Sequence, residues 1–196
     1  MTSPELPTAL TTARLRLRRP RPEDADAMLD RWLGDAEATR FMLFAPYAKD
    51  DRAGVDAFLA MMLRNWDEGR GHRLWLIERD ADPRPIGALG VTPDAATATN
   101  HAFLIGYILA RDVWGHGYTT EALAGMTERL FERPATWRVW APTHVANAAS
   151  QRVLAKAGFT REATLRRHLV FPAFGPEPQD CSLWSRSRDD LARSSP

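Results

Sequence analysis

The sequence predicts a mixed α/β fold in one domain, residues 8–190, and three observations carry that prediction. Segments of period-2 alternation interleave with segments of 3.6-residue periodicity along the whole chain. No internal repeat and no Pro/Gly/Ser-rich linker divides it. The 196 residues, 44% hydrophobic and 26% charged, suit one soluble core of ordinary size.

The elements follow in chain order. In "ARLRLR" arginine alternates with Leu15 and Leu17, the pattern of a half-buried strand. "RPEDADAMLDRWLGD" changes period: Ala25, Met28, Leu29, Trp32 and Leu33 share one helical face, with Pro22 and two acids opening the helix and Gly34 closing it. A second helix runs from about Asp51 to Glu68, with Val55, Phe58, Leu59, Met62 and Trp66 on one stripe. Between them, residues 35–50 are apolar without a clear period and read as an aromatic loop that helps form a pocket. "RLWLIE" (73–78) and "PIGALGV" (85–91) form a hairpin across the turn residues "RDADPR". "HAFLIGYIL" (101–109) is a central strand covered on both faces, in which Gly106 suggests a bulge or a close approach.

A helix then carries Leu123, Met126, Thr127, Leu130 and Phe131 on its apolar face. "WRVWAP" (137–142) is a strand, and "NAASQRVLAKAG" is a short helix with Asn147 at its cap and Gly158 past its end. "TREATLRRHLVF" and "DCSLWSRS" read as closing strands joined by the proline-rich residues 172–179, and "RDDLARSSP" as a loose tail.

Charge and targeting signals narrow the function. The formal net charge of +1 argues against bulk nucleic-acid or membrane-surface binding. The five arginines of residues 14–22 read as a solvated strand edge, with a functional patch as the alternative. No apolar run approaches the roughly 20 residues of a membrane span, and "MTSPELPTAL" lacks the marks of a signal peptide. Cys181 is the sole cysteine, which excludes an internal disulfide and suits a reduced, cytoplasmic setting; it reads as a small core hydrophobe.

"RDVWGHGYTTEAL" (111–123) places two glycines between a strand and a helix start. Glycine allows φ > 0 and lets a ligand approach bare backbone, while a helix's first turn offers unpaired N–H groups and partial positive charge. The arrangement suits a phosphate. It lacks the Gly-Lys-Ser/Thr ending of a P-loop, and Thr120 stands where a dinucleotide fingerprint has its third glycine. By itself it also fits a tight turn, with Glu121 answering the helix dipole. Downstream, Asn147 and Ser150 share one side of a first helical turn, and Ser150 continues the inward stripe Val153, Leu154, Ala157. A cap plus a serine bonded back to a carbonyl is the plain alternative.

"IGYILARDVWGHGYTTEAL" followed by "RVWAPTHVANAASQRVLAKAGFTREATLRRH" resembles the GNAT N-acetyltransferases, in particular their RimJ/RimL-like branch. The resemblance runs from about "ARLRLRRP" to "CSLWS". One departure falls at Asp112, where the wide-family motif Gln/Arg-x-x-Gly-x-Gly/Ala begins; the backbone amides, not that side chain, carry the binding.

The resemblance implies the GNAT fold: a central, mostly antiparallel twisted sheet of about seven strands, helices on both faces, splayed between the fourth and fifth strands. It implies acetyl-CoA as co-substrate and direct attack by a primary amine acceptor, a protein N-terminus or a small molecule. Ile108, Leu109 and Ala110 would pair with the pantetheine arm, and a backbone N–H near Ile108 would polarise the thioester carbonyl. Trp114, Gly115, His116, Gly117, Tyr118 and Thr119 would hold the pyrophosphate. Asn147 would fix cofactor or acceptor, and Ser150 would lie by the thioester sulfur. Many relatives use a tyrosine as acid at the position of Leu154, so Ser150 takes that role here.

The base is less defined. Leu104 stands where the branch often has an acid, which leaves His168 as the candidate, or else an ordinary strand-surface histidine; His101, His116 and Glu121 are weaker choices. The missing acid also keeps open a non-catalytic acyl-CoA sensor. No metal, nucleic acid or membrane is expected as a partner, and the chain is expected as a monomer or homodimer.

Overall fold

The computed structural model describes residues 6–94 and 101–193, with side chains up to residue 190. The first five residues of "MTSPELPTAL" and the last three of the tail lie outside the described residues. In chain order the elements are β1 (Ala9–Thr11), β2 (Leu15–Arg18), α1 (Ala25–Met28), α2 (Arg52–Asp67), β3 (Arg73–Arg79), β4 (Asp82–Pro93) and β5 (Ala102–Leu109). There follow α3 (Tyr118–Phe131), β6 (Arg138–His144), α4 (Ala148–Lys156), β7 (Thr160–Val170), β8 (Pro178–Ser187) and α5 (Arg188–Arg193). A 3-10 turn, Pro22–Asp24, leads into α1, and a wider turn over Leu29–Leu33 ends it with the Gly34 amide reaching back five residues to the Leu29 carbonyl.

One mixed sheet holds eight strands in the order β1-β2-β3-β4-β5-β6-β8-β7. Every pairing is antiparallel except β5 with β6. The count exceeds the expected seven because of the three-residue β1, too short for a periodic signal, so the expected opening between the fourth and fifth strands falls between the fifth and sixth.

Local sequence explains where the helices begin and stop. The Asp51 side chain accepts from the Gly54 amide to cap α2, and Gly69 follows with φ +62°. Gly158, at φ +83°, closes α4, with the Phe159 amide bonded to the Leu154 carbonyl.

Two apolar layers flank the sheet. On one face Leu123, Met126, Leu130 and Phe131 of α3 and Leu154 of α4 pack against Phe103, Ile105, Leu109 and Val139. On the other, Met28, Leu29 and Trp32 with Val55, Leu59 and Met62 of α2 cover Leu74, Leu76, Ala88 and Ile108. Burying each such side chain contributes roughly 1.5–3 kcal/mol, so these faces fix the layer order.

Three expectations need correction. Gly106 makes no bulge: it sits in register opposite Gly90, and a Cβ there would meet nothing within 4 Å, so the strand is open on that face. The tail forms α5, begun by Asp190, which accepts from both the amide and the hydroxyl of Ser187. The arginine run is not simply a solvated edge, because Arg18 is buried and bonds Asp24 and Glu78. Cys181 is fully buried, as a core hydrophobe should be. Among the described residues no helix is long and apolar enough to cross a membrane.

Candidate active site

The site begins where two parallel strands part. β5 and β6 pair at Ala102↔Arg138, Phe103↔Val139 and Leu104↔Trp140, and no further. Beyond that seam β5 runs on to Leu109 and β6 to His144, leaving a wedge between them.

Ladder parity decides which backbone groups face the wedge. The Ala110 amide donates to the Ile86 carbonyl and the Asp94 amide to the Ala102 carbonyl, both at 2.9 Å. In an antiparallel pair hydrogen-bonded positions alternate, so the even-numbered residues of β5 turn their N–H and C=O to β4. The odd ones, Ile105, Tyr107 and Leu109, turn theirs to the wedge. The Ile108 amide itself is therefore directed at β4, and the donors near Ile108 that face the gap are the amides of Tyr107 and Leu109. The Leu109 carbonyl accepts from the Trp114 indole at 3.0 Å, which folds that tryptophan back over the strand end.

At the end of β5 the glycine loop has the backbone expected of it. Gly115 and Gly117 have φ of +82° and +78°, and a Cβ on Gly115 would meet nothing within 4 Å. Gly117 caps α3 without any side-chain hydrogen bond, unlike Asp51 before α2 and Asn147 before α4. The first-turn amides of α3, from Tyr118 and Thr119 onward, thus meet no capping side chain at the positive end of a 14-residue helix. His116 turns back on its own loop, its Nδ1 3.0 Å from the Trp114 carbonyl and its ring stacked on Tyr118.

A cation that sequence reasoning passed over lies beside this loop. The Arg14 guanidinium donates to the His116 carbonyl at 3.1 Å, covers the Tyr118 ring at 4.8 Å and pairs with Glu121 at 2.6 Å. Its only sequence signal was membership in the arginine run.

On the other side of the wedge α4 presents Asn147 and Ser150. Asn147 Oδ1 accepts from the Ser150 amide at 3.0 Å, and among the described residues its Nδ2 hydrogens are left as donors. Ser150 Oγ lies 2.8 Å from the Tyr107 hydroxyl, so β5 and α4 are bridged just past the seam. Tyr107 was absent from the sequence-predicted site. Burial pushes its phenol well above the usual tyrosine range, despite the hydrogen bond with Ser150. Leu154, at the tyrosine-acid position, is fully buried and carries no acid.

The aromatic loops meet at the far end of β6. Phe41, Phe171 and Phe174 surround the buried His144 with ring centroids 5.4, 5.0 and 4.4 Å away. Burial, aided by Arg40, lowers the basicity of His144, and Asp180 opposes this. His168 stands exposed on the outer strand β7, beside a bulge where Arg167 has φ +47°. Among the described residues no hydrogen bond joins it to Ser150 or to the glycine loop.

Comparison with known proteins agrees with this geometry. The acetyltransferase (GNAT) domain family matches residues 14–160. The uncharacterised N-acetyltransferase p20 of Bacillus licheniformis is 30% identical over 158 residues, 80% of this chain and 85% of that protein. In fold the chain is similar to Mycobacterium smegmatis RimJ in complex with CoA-disulfide, with TM-score 0.81 and 24% identity over 94% of this chain and 90% of that one. It is similar also to the ribosomal-protein-S5-alanine acetyltransferase of Vibrio fischeri, with TM-score 0.78 and 18% identity over 94% of this chain and 98% of that one. Parted parallel strands, a glycine loop opening an uncapped helix and a family match over most of the length converge: this chain belongs to the GNAT acetyltransferases, enzymes that take acetyl-CoA as acyl donor.

Proposed function

We propose that this enzyme acetylates a primary amine, on a protein N-terminus or a small molecule, by direct attack on the thioester of acetyl-CoA. The observation that carries the reading is the uncapped start of α3, with two positive-φ glycines and Arg14 beside it, at the end of a strand whose odd-numbered backbone groups face an open wedge.

These residues fit the cofactor. The loop from Trp114 to Thr119 offers amides and open space to a diphosphate, and the Arg14 guanidinium, paired with Glu121, lies beside it as a further donor. Backbone groups of Tyr107 and Leu109 suit an amide-bearing arm laid along β5, with Ile108 and Ala110 setting the ladder that holds them. Bound there, acetyl-CoA supplies an activated acyl carbon and a thiolate leaving group. The Leu109 or Tyr107 amide supports the carbonyl oxygen as charge develops on it. Ser150 donates to the departing sulfur, and Asn147 Nδ2 steadies the neighbouring polar groups. Holding amine and thioester together provides most of the rate. For the amine proton His168 is the candidate base, tested by a fall in turnover with unchanged CoA affinity in His168→Gln.

Calorimetry with CoA on Gly117→Trp tests the phosphate site: binding should be lost while the fold is kept, and unchanged affinity overturns the reading. Thiol release from acetyl-CoA with a panel of amines, peptide N-termini included, then identifies the acceptor.

A further inference from the structure

We infer that Tyr107 is a positioning residue, which aims the hydroxyl proton of Ser150 into the wedge between β5 and β6. The inference rests on the proposed role of Ser150 as donor to the thioester sulfur.

Ser150 sits in the first turn of α4, too near the helix start for the back-bond to the carbonyl four residues earlier that serves a mid-helix serine. Here the partner of its Oγ is the Tyr107 hydroxyl, at 2.8 Å. The amide of Ser150 is held separately by Asn147 Oδ1 at 3.0 Å. Main chain and side chain of the serine are therefore pinned from two directions.

We assign the protons by the shorter contact. The phenol has one proton and two acceptors in reach, Ser150 Oγ at 2.8 Å and the Ser150 carbonyl at 3.3 Å. A carbonyl in a first helical turn already serves the amide four residues on, and it is the more distant of the two. With the phenol as donor to Oγ, one of the two directions this pair allows, the serine's own proton is left over. With the tyrosine on one side, that proton turns toward the gap. Burial keeps Tyr107 protonated through the working range, so it acts as a fixed donor rather than as an acid that cycles. When the amine forms its C–N bond and the C–S bond breaks, the electron pair left on sulfur meets a hydroxyl already oriented. The amine's surplus proton balances the thiolate, and neither Ser150 nor Tyr107 changes charge.

The test needs no acceptor. The pKa of the CoA thiol bound to the enzyme is read from thiolate absorbance for wild type, Tyr107→Phe, Ser150→Ala and the double variant, with desulfo-CoA affinity checking that the cofactor's pose is kept. An oriented hydroxyl lowers the bound thiol's pKa. Tyr107→Phe should raise it by about one unit, a roughly tenfold smaller thiolate fraction. Ser150→Ala should raise it at least as far, and Tyr107→Phe should add nothing in that background. A wild-type value in Tyr107→Phe, or an equal shift with and without Ser150, overturns the positioning role while the serine's own role stands. A wild-type value in Ser150→Ala, or no CoA binding by the wild type, overturns the underlying reading and this one with it.

Discussion

Glu121 accepts two hydrogen bonds from Arg14, one from its amide at 2.8 Å and one from its guanidinium at 2.6 Å, and a third from the Thr12 hydroxyl at 2.6 Å. The start of β2 is thereby tied to the first turn of α3, behind the glycine loop. Burial alone would raise this carboxyl, but the bonds from Thr12 and Arg14 outweigh it and hold it below the usual range. A depressed carboxylate stabilises the fold above its unfolded value, about pH 4.3, and that contribution disappears as pH falls through the folded value. Glu121→Gln should lose up to about 1 kcal/mol at neutral pH, Arg14 being half exposed, and the deficit should close in acid. Thermal unfolding at pH 7 and at a pH well below 4, under the depressed folded value, checks this, and CoA affinity should drop several-fold at pH 7.

Gly87 lies against β5 so closely that a Cβ would stand 2.4 Å from the Ile108 carbonyl oxygen. Backbone is the obstacle, so no rotamer change relieves it. Gly87→Ala should cost about 1–3 kcal/mol and displace β5 beside the wedge. Unfolding midpoints read the first effect and CoA calorimetry the second; Gly106→Ala, facing open space, is the control.

Arg18 is buried between two acids, bidentate to Asp24 at 2.8 Å and bonded to Glu78 at 2.6 Å. Its hydrogen bonds to Asp24 and Glu78 overcome the burial cost and raise its pKa further above the ordinary arginine value. Arg18→Met leaves two carboxylates without their cation and should destabilise by about 3–5 kcal/mol. Denaturant titration measures the loss, and removing both acids as well should recover much of it.

His144 accepts the Ala146 amide on Nδ1 at 3.0 Å, so in the neutral ring the proton resides on Nε2. Its folded pKa is lowered, chiefly by burial. As pH falls through about 6.5 the unfolded chain takes up a proton before the folded one does, so stability declines with acidification. His72, lowered by burial as well, contributes with the same sign. Urea midpoints at pH 7.5 and 5 should therefore fall for the wild type, and fall less for His144→Asn, whose side-chain oxygen can take over the Ala146 amide.

Sequence reasoning reached the parts of this site that are local. The glycine loop and the Asn147 cap are written within a few neighbouring residues, because positive φ and a capping carboxamide are properties of short segments. What it missed is long-range. Tyr107 and Ser150 are 43 residues apart, and Arg14 and Glu121 are 107 apart, so no periodicity links them. Near Ile108 the amides that face the gap are those of Tyr107 and Leu109, a parity the sequence leaves open because strand alternation specifies side-chain faces but not which neighbour each amide serves. Of the two readings of Gly106, bulge or close approach, the bulge is absent, because a strand glycine signals free space as readily as a kink.

The seam at Leu104 and Trp140 has the geometry of a scissors pivot, with the β5 blade backed by β4 as far as Leu109. From Leu104 to Leu109 the blade is five residues long, about 16 Å at roughly 3.3 Å per residue. A tilt of about 4° at the pivot moves the tip by about 1 Å, a misplacement that can slow a positioned reaction by roughly a hundredfold. Residues that wedge the handles, far from any reacting atom, thereby gain leverage over the rate.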